Sequence, residues 1–359
     1  MNAEPTPIAT PEGLRRFLSL NDEAVEAVVG RFDQTSPASY GTFGERGRAA
    51  CREDLGYHLE FLRPALEFGI LRPFVDYIRW LAIVLTARGI PANHLALSLD
   101  WLKEFYTARL PGEDAEPVLV ALNSAITALR DPSDDVPLYE RLMPDASEKC
   151  DAFVAALVRG DQETAVSIFR EVAHDGQTFL EAELHLVQPA MYQIGRGWQS
   201  NLISVAQEHL ATSMVHSILA QEFATAVLAP SNGRSVVLAG VEGNLHVLGL
   251  RMVADAFELA GWDVRFLGPD TPTPLLIQAV RDDRPNLVGL SASMPQHLRS
   301  ARGAIASLHA ELGEACPAVL LGGLTINQLT PQMAVLGAEA TGPDARSAVE
   351  TAAQLVSPP

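Results

Sequence analysis

The sequence predicts an α and α/β multidomain chain: two all-helical parts followed by a doubly wound parallel α/β domain. Three observations predict it. Up to about residue 228 the apolar residues recur at helical spacing, with no convincing alternating strand. Beyond residue 234, short apolar runs alternate with helical ones, the pattern of a parallel sheet with helices on both faces. Two breaker-rich stretches, Asp131-Pro-Ser-Asp-Asp-Val-Pro137 and Ala229-Pro-Ser-Asn-Gly-Arg234, separate the three parts.

Residues 1–12 carry three prolines and little pattern, and read as a loose tail. Residues 13–130 read as a helical domain of six or seven helices. Leu55, Leu59 and Leu62, then Phe74, Ile78 and Leu81, mark apolar faces, while Pro91 and Pro111-Gly112 mark helix ends. Residues 131–146 read as a linker. Residues 147–228 suit a four-helix bundle, on Phe153 and Leu157, Ala165 and Phe169, Phe179, and a long run from Ile203 to Val227. Residues 235–359 form the α/β domain, with strands at 235–240, 262–267, 287–290 and 318–321 and helices at 250–260, 275–281 and 299–312. Ligands of such sheets sit beyond the carboxyl ends of the strands.

A length of 359 residues allows two or three domains at roughly 100–200 residues each. Hydrophobic residues make up 48%, enough for real cores and too much for disorder. With 26 Lys+Arg against 44 Asp+Glu, the formal net charge is −18, which argues against binding DNA or an anionic membrane. Cys51, Cys150 and Cys316 are far apart and form no CxxC, which fits a reducing cytoplasm. The amino terminus lacks the basic and apolar regions of a signal peptide. The most apolar stretch, near Trp80 to Leu85, falls far short of the ~20 residues a membrane span needs.

The first strand runs into Val241-Glu-Gly-Asn-Leu-His246-Val-Leu-Gly249. From the residues alone this is a glycine-containing loop that opens a helix, and His246 is either an ordinary polar loop residue or a ligand. The loop lacks the Gly-x-x-x-x-Gly-Lys of a phosphate-binding loop. Asn244-x-His246-x-x-Gly249 resembles the Asp-x-His-x-x-Gly motif of cobalamin-binding domains. Gly289-Leu-Ser291-Ala-Ser293 resembles the segment whose serine faces the cofactor's nucleotide tail. Gly322-Gly323 resembles the glycine pair that admits that tail, and Gly342-Pro-Asp344 matches the end of such domains. The resemblance covers about 235–356. It implies that His246 is the lower axial ligand to cobalt, a role a neutral imidazole suits. The ring's other N–H then needs an acceptor. The family's Asp is Asn244 here, so its amide oxygen is the expected acceptor and the cobalt bond is expected to be weaker.

In the helical part just before, Gly197-Trp198 is followed by Glu208-His209. These read either as a core Trp with a solvated acidic face, or as a cap. The spacing resembles the cap of B12-dependent photoreceptors, which implies that Trp198 shields adenosylcobalamin's upper face, that Glu208 contacts its ribose, and that His209 lies nearby. Gln199 departs from the DNA-binding members, which carry a second cobalt ligand at that position. No helix-turn-helix segment precedes the bundle.

In the N-terminal part, Cys51, Asp54 and His58 share one helix face, with Arg48 and Arg52 on a neighbouring stripe. The pattern suits a charged helix with a small buried Cys. It equally suits a linear tetrapyrrole site, with Asp54 for the pyrrole nitrogens, Arg48 and Arg52 for the propionates, and Tyr57, Tyr77 and Trp80 as aromatic walls or core. The Cys51-x-x-Asp54 spacing resembles the bilin helix of phycobiliproteins, which implies a globin-like fold. His94 as a haem ligand is the alternative. As a whole the chain resembles the photocobilins, which implies a light sensor holding adenosylcobalamin and biliverdin, forming a homo-oligomer such as a dimer, and signalling to an effector or partner. The rival readings are a corrinoid methyl carrier and a light-independent B12-binding regulator.

Overall fold

The computed structural model describes residues 8–35, 44–130, 147–173, 176–329 and 336–356; the expected linker at 131–146 and the first seven residues lie outside that range. Residues 1–137 and 138–359 form two compact units.

The first unit has six helices among the described residues: α1 (Pro11–Ser19), α2 (Asn21–Thr35), α3 (Gly44–Phe68), α4 (Arg72–Ala87), α5 (Ala92–Arg109) and α6 (Gly112–Arg130). The first helix starts earlier than the apolar pattern suggests. Pro11 takes a first-turn position, where its missing N–H costs nothing, and the Thr10 side chain accepts from the Gly13 N–H at 2.9 Å. Ala9 donates to the Leu66 carbonyl at 2.9 Å, so the last residues of the expected tail are already tied to α3. Leu59, Leu62 and Leu66 on α3 pack inward with Ile78, Leu99 and Leu122, all essentially buried. Each such side chain contributes roughly 1.5–3 kcal/mol relative to exposure.

The second unit opens with α7 (Glu148–Arg159), α8 (Gln162–Val172), α9 (Gly176–Ala182), α10 (Gln188–Gln199) and α11 (Val205–Phe223). Glu183–Val187 is a π-helical turn that joins α9 to α10 in one rod, so the bundle has four rods with the third interrupted. Caps set the ends. Ser147 and Asp161 accept from the first-turn N–H groups of α7 and α8. Gly160 closes α7 in the left-handed conformation, and Ser204 with Gln207 forms a capping box on α11.

The chain then enters a parallel sheet of β1 (Ser235–Val241), β2 (Asp263–Thr271), β3 (Leu287–Ser291), β4 (Ala318–Gly322) and β5 (Ala340–Gly342), in the order β2-β1-β3-β4-β5. The connecting helices are α12 (Leu248–Leu259), α13 (Thr273–Asp283), α14 (His297–Leu312), α15 (Leu324–Asn327) and α16 (Ala345–Leu355). α12 packs with α16, and α13 packs with α14. The chain leaves β1 for one neighbour and returns to the other, so the topological switch point lies between β1 and β3. β3 is buried throughout, as a strand covered on both faces must be. β5 and α16 are elements that periodicity did not pick out.

Candidate functional site

A cavity of about 450 Å³ opens at the switch point, between the carboxyl ends of the strands and the helical bundle. The α/β side supplies His246, Gly249, Ser291, Ser293, Gly322, Gly323 and Asp344, all named from the sequence. The bundle side supplies Leu184, Gln188, Met191 and Tyr192 from the third rod and Glu208, Thr212 and His216 from α11. The last three recur every four residues, so they form one stripe on α11. That stripe is legible in the sequence once Glu208 is chosen as its start, and His216, Thr212 and Tyr192 went unnamed there.

His246 stands on the loop between β1 and α12. Partial burial lowers its pKa, and Glu208 opposes the shift, so the ring carries a free lone pair near neutral pH. Asn244 is fully buried. Its Oδ1 accepts from the His246 backbone N–H at 3.1 Å, and its Nδ2 donates to the Ser291 carbonyl at 2.8 Å. The expected contact of this amide oxygen is thus made with the backbone of His246, and Asn244 ties the loop to β3. Gly249 opens the first turn of α12, where an added Cβ would meet nothing within 4 Å, so the loop's last glycine faces free space. Gly323 has φ +111, and a Cβ there would lie 2.3 Å from the Ala292 carbonyl oxygen, so this corner admits only glycine. Asp344 caps α16 by accepting from the Ser347 N–H at 2.7 Å, a structural task beside its place in the lining.

Of the cap residues, Glu208 lines the cavity. Its carboxylate accepts from Thr212 Oγ1 at 2.9 Å and pairs with His209 Nδ1 at 2.6 Å. His209 is largely exposed and outside the lining. Trp198, at the end of α10, is half-buried and also outside the lining, and Gln199 beside it is buried.

In the first unit, Asp54 and Cys51 are half-buried on α3, and burial, with Glu53 second, raises the Asp54 pKa to about 6. His58 is buried, with Nδ1 3.1 Å from Tyr77 Oη, and burial lowers its pKa to about 4. Tyr77 stacks on Phe61 at 3.8 Å and lies beside Trp80. Tyr57 is exposed and hydrogen-bonds Glu53 at 3.3 Å. Arg48 and Arg52 are engaged elsewhere: they pair with Asp33 at 2.9 Å and Glu26 at 2.6 Å, on α2. The reason is angular, because the Arg48 and Arg52 stripe lies about 120° around the helix from that of Asp54 and His58. His94 packs against Phe32.

Two B12 binding domain models match the chain, one over residues 234–350 and one over 150–221, the two walls of the cavity. The HTH-type transcriptional repressor CarA of Myxococcus xanthus is 30% identical over 239 residues, covering 65% of this chain and 74% of that protein. The chain belongs to the B12-binding family of CarA. CarH of the same organism is 28% identical, covering 67% of this chain and 80% of CarH. Dimethylamine corrinoid protein 2 of Methanosarcina mazei is 28% identical over 121 residues, covering 34% of this chain and 56% of that protein. The structure of the Methanosarcina barkeri monomethylamine corrinoid protein covers 58% of this chain and 99% of that one, at 18% identity and a TM-score of 0.49. Cobalamin is thus the cofactor class of this chain.

The cavity suits such a family member. A corrin ring brings its cobalt with four nitrogens already bound, so the protein needs one ring nitrogen and a glycine-floored channel, which His246 and the Gly289, Gly322 and Gly323 corner supply. Among the described residues no helix is long and apolar enough to cross a membrane.

Proposed function

We propose that this chain is a light sensor that holds adenosylcobalamin in the cavity, with His246 as its lower axial ligand, and a linear tetrapyrrole such as biliverdin in a globin-like N-terminal unit. The observation that carries the reading is one cavity walled on opposite sides by a neutral imidazole and by the Glu208 stripe of a helical bundle. When bound, adenosylcobalamin supplies a cobalt–carbon bond that light cleaves. His246 holds the metal from the α/β side. Glu208 accepts hydrogen bonds from ligand hydroxyls once it exchanges its Thr212 and His209 partners for them. Tyr192, Met191 and Leu184 exclude water from the upper face. Loss of an upper-face group removes packing from the third rod and α11. The bundle then shifts against the α/β domain, a two-state change biased by the ligand, and the signal leaves through a dimer or a partner.

For the tetrapyrrole, the support is Asp54. It is half-buried with no cation beside it among the described residues, and it sits close enough to Tyr77 to perturb it. Protonated pyrrole nitrogens would lower its pKa by supplying the missing positive charge.

A light-independent B12-binding regulator or methyl carrier is the second reading, and the position of Trp198 outside the lining favours it. Reconstitution in darkness with adenosylcobalamin and biliverdin, removal of free ligand, and spectra before and after green and then red light separate the readings. Retention of both chromophores, with cobalamin changes under both colours, is the expected result. Retained cobalamin that light leaves unaltered would favour the second reading.

A further inference from the structure

The turn that delivers His246 is held from three elements. Asn244 N–H donates to the Val241 carbonyl at 2.9 Å, closing a β-turn whose third residue, Gly243, has φ +87. The Gly243 N–H donates to Asp270 Oδ1 at 2.7 Å, and the Asp270 N–H returns a bond to the Asn244 carbonyl at 2.9 Å. Asp270, at the carboxyl end of β2, is itself left-handed at φ +47, a conformation an Asp tolerates better than a bulkier residue. On the other side lies His297, buried at the start of α14. Its Nδ1 accepts from the Met294 N–H at 3.2 Å, so the ring proton is on Nε2. The ring lies against the turn, with its Cδ2 3.9 Å from where a Cβ on Gly243 would stand. The His297 and His246 ring centres are 6.5 Å apart. Asn244 meanwhile spends its amide on the His246 backbone and on β3.

We propose that Asp270 and His297 are positioning residues that hold the Gly243 turn from its two sides, Asp270 by hydrogen bonds and His297 by its buried ring, and so fix the direction in which His246 presents its ring to cobalt. The clamp rests on His246 being the cobalt ligand. It replaces, by geometry, part of the orientation that a charged residue at position 244 would give.

The test has two readouts. In the ligand-free protein, Asp270→Ala and His297→Ala should speed amide exchange at residues 243–246 and leave α16 unchanged. In the protein grown with nitrogen-15 histidine and loaded with cob(II)alamin, doublet splitting in the electron spin resonance spectrum reports His246 on cobalt. Asp270→Ala should lower the His-on to His-off ratio about fivefold, the weight of one hydrogen bond, and His297→Ala should lower it in the same direction, while corrin is still retained. Asp270→Asn keeps an acceptor for Gly243 and His297→Phe keeps the ring, so both should recover most of the ratio. Alanine variants with wild-type exchange and a wild-type ratio overturn the clamp. Doublets absent from the labelled wild-type protein would instead defeat the ligand reading, and the exchange data alone would then decide whether the clamp exists.

Discussion

His58 in the first unit and His246 in the second are both held below the ordinary imidazole range, mainly by burial, yet they are built for different ends. His58 is 3% exposed. Its Nδ1 meets Tyr77 Oη, and Tyr77 is stacked on Phe61, so the ring is a closed part of the core. His246 is tied only through its backbone, by Asn244, and its ring faces a cavity. The two therefore share a direction of pKa shift and differ in what the ring faces, a packed core or a cavity. In the first unit Asp54, four residues before His58 on the same face, is half-buried with no cation beside it among the described residues.

The comparison breaks most severely at His246. His246→Ala should remove the His-on spectrum of bound cobalamin and weaken binding about a hundredfold or more, beyond what loss of an outer-shell partner costs. Thermal stability should barely move, because the ring buries little. An unchanged spectrum would make His246 the equal of His58.

His58→Ala is the converse. It leaves a void and an unpaired Tyr77 hydroxyl, and should destabilise the first unit by about 2–4 kcal/mol in denaturant unfolding, with cobalamin binding intact. Linkage gives it a pH signature. The folded state holds His58 neutral down to about pH 4, whereas the unfolded chain binds the proton near 6.5. The wild type should therefore lose stability as pH falls from about 6.5 toward 4, and His58→Phe should flatten that slope.

A third contrast lies where the π-turn meets α12. Glu183 is fully buried, and among the described residues no N–H or hydroxyl donor reaches either of its carboxylate oxygens. It faces Asp255, which Arg251 holds. Burial first, and Asp255 second, raise the Glu183 pKa well above 4.5, so Glu183 carries a proton that it shares with Asp255. The unfolded chain releases that proton near 4.5, so stability falls as pH rises from there toward the raised value. Glu183→Gln, whose amide donates as the proton does, should abolish this decline and change stability at neutral pH by only ~1 kcal/mol. A steeper alkaline decline in the variant would contradict the shared proton.

The smallest effect belongs to Asp54. Its folded pKa is raised from 3.8 to about 6, so its contribution to stability falls between those values and is flat above them. Asp54→Asn should remove that shallow slope in melting temperature, and should shift the absorption band of any retained bilin. An unaltered bilin band would take Asp54 out of the site.

The α/β half was legible because its chemistry is local. A short loop places Asn244, His246 and Gly249 within six residues, and the strands announce themselves by apolar runs. β5 was hidden because Ala340–Gly342 is too short to show a period, and it is a strand only through its pairing with β4. The π-turn was hidden because it preserves helical spacing on either side. The bundle wall was legible only in part. Glu208 was found through the spacing of Trp198 and the Glu208-His209 pair, but Tyr192, Thr212 and His216 lie on helix faces whose residue types suit a core and a cavity equally. Arg48 and Arg52 show what the sequence hides about partners: α2, a separate helix, carries Asp33 and Glu26 to meet them.

The central claim is that His246 is the protein's ligand to cobalt. Reduced cobalamin has one unpaired electron directed along its axial bond, so an axial nitrogen splits each cobalt line by its own nuclear spin. The direct measurement is electron spin resonance of cob(II)alamin bound to protein grown with nitrogen-15 histidine, beside the same complex with natural histidine. Triplets with natural histidine that become doublets with the labelled protein are predicted. Triplets that persist would assign the nitrogen to the cofactor's own base, and absent splitting would leave cobalt without a nitrogen ligand; either would contradict the account.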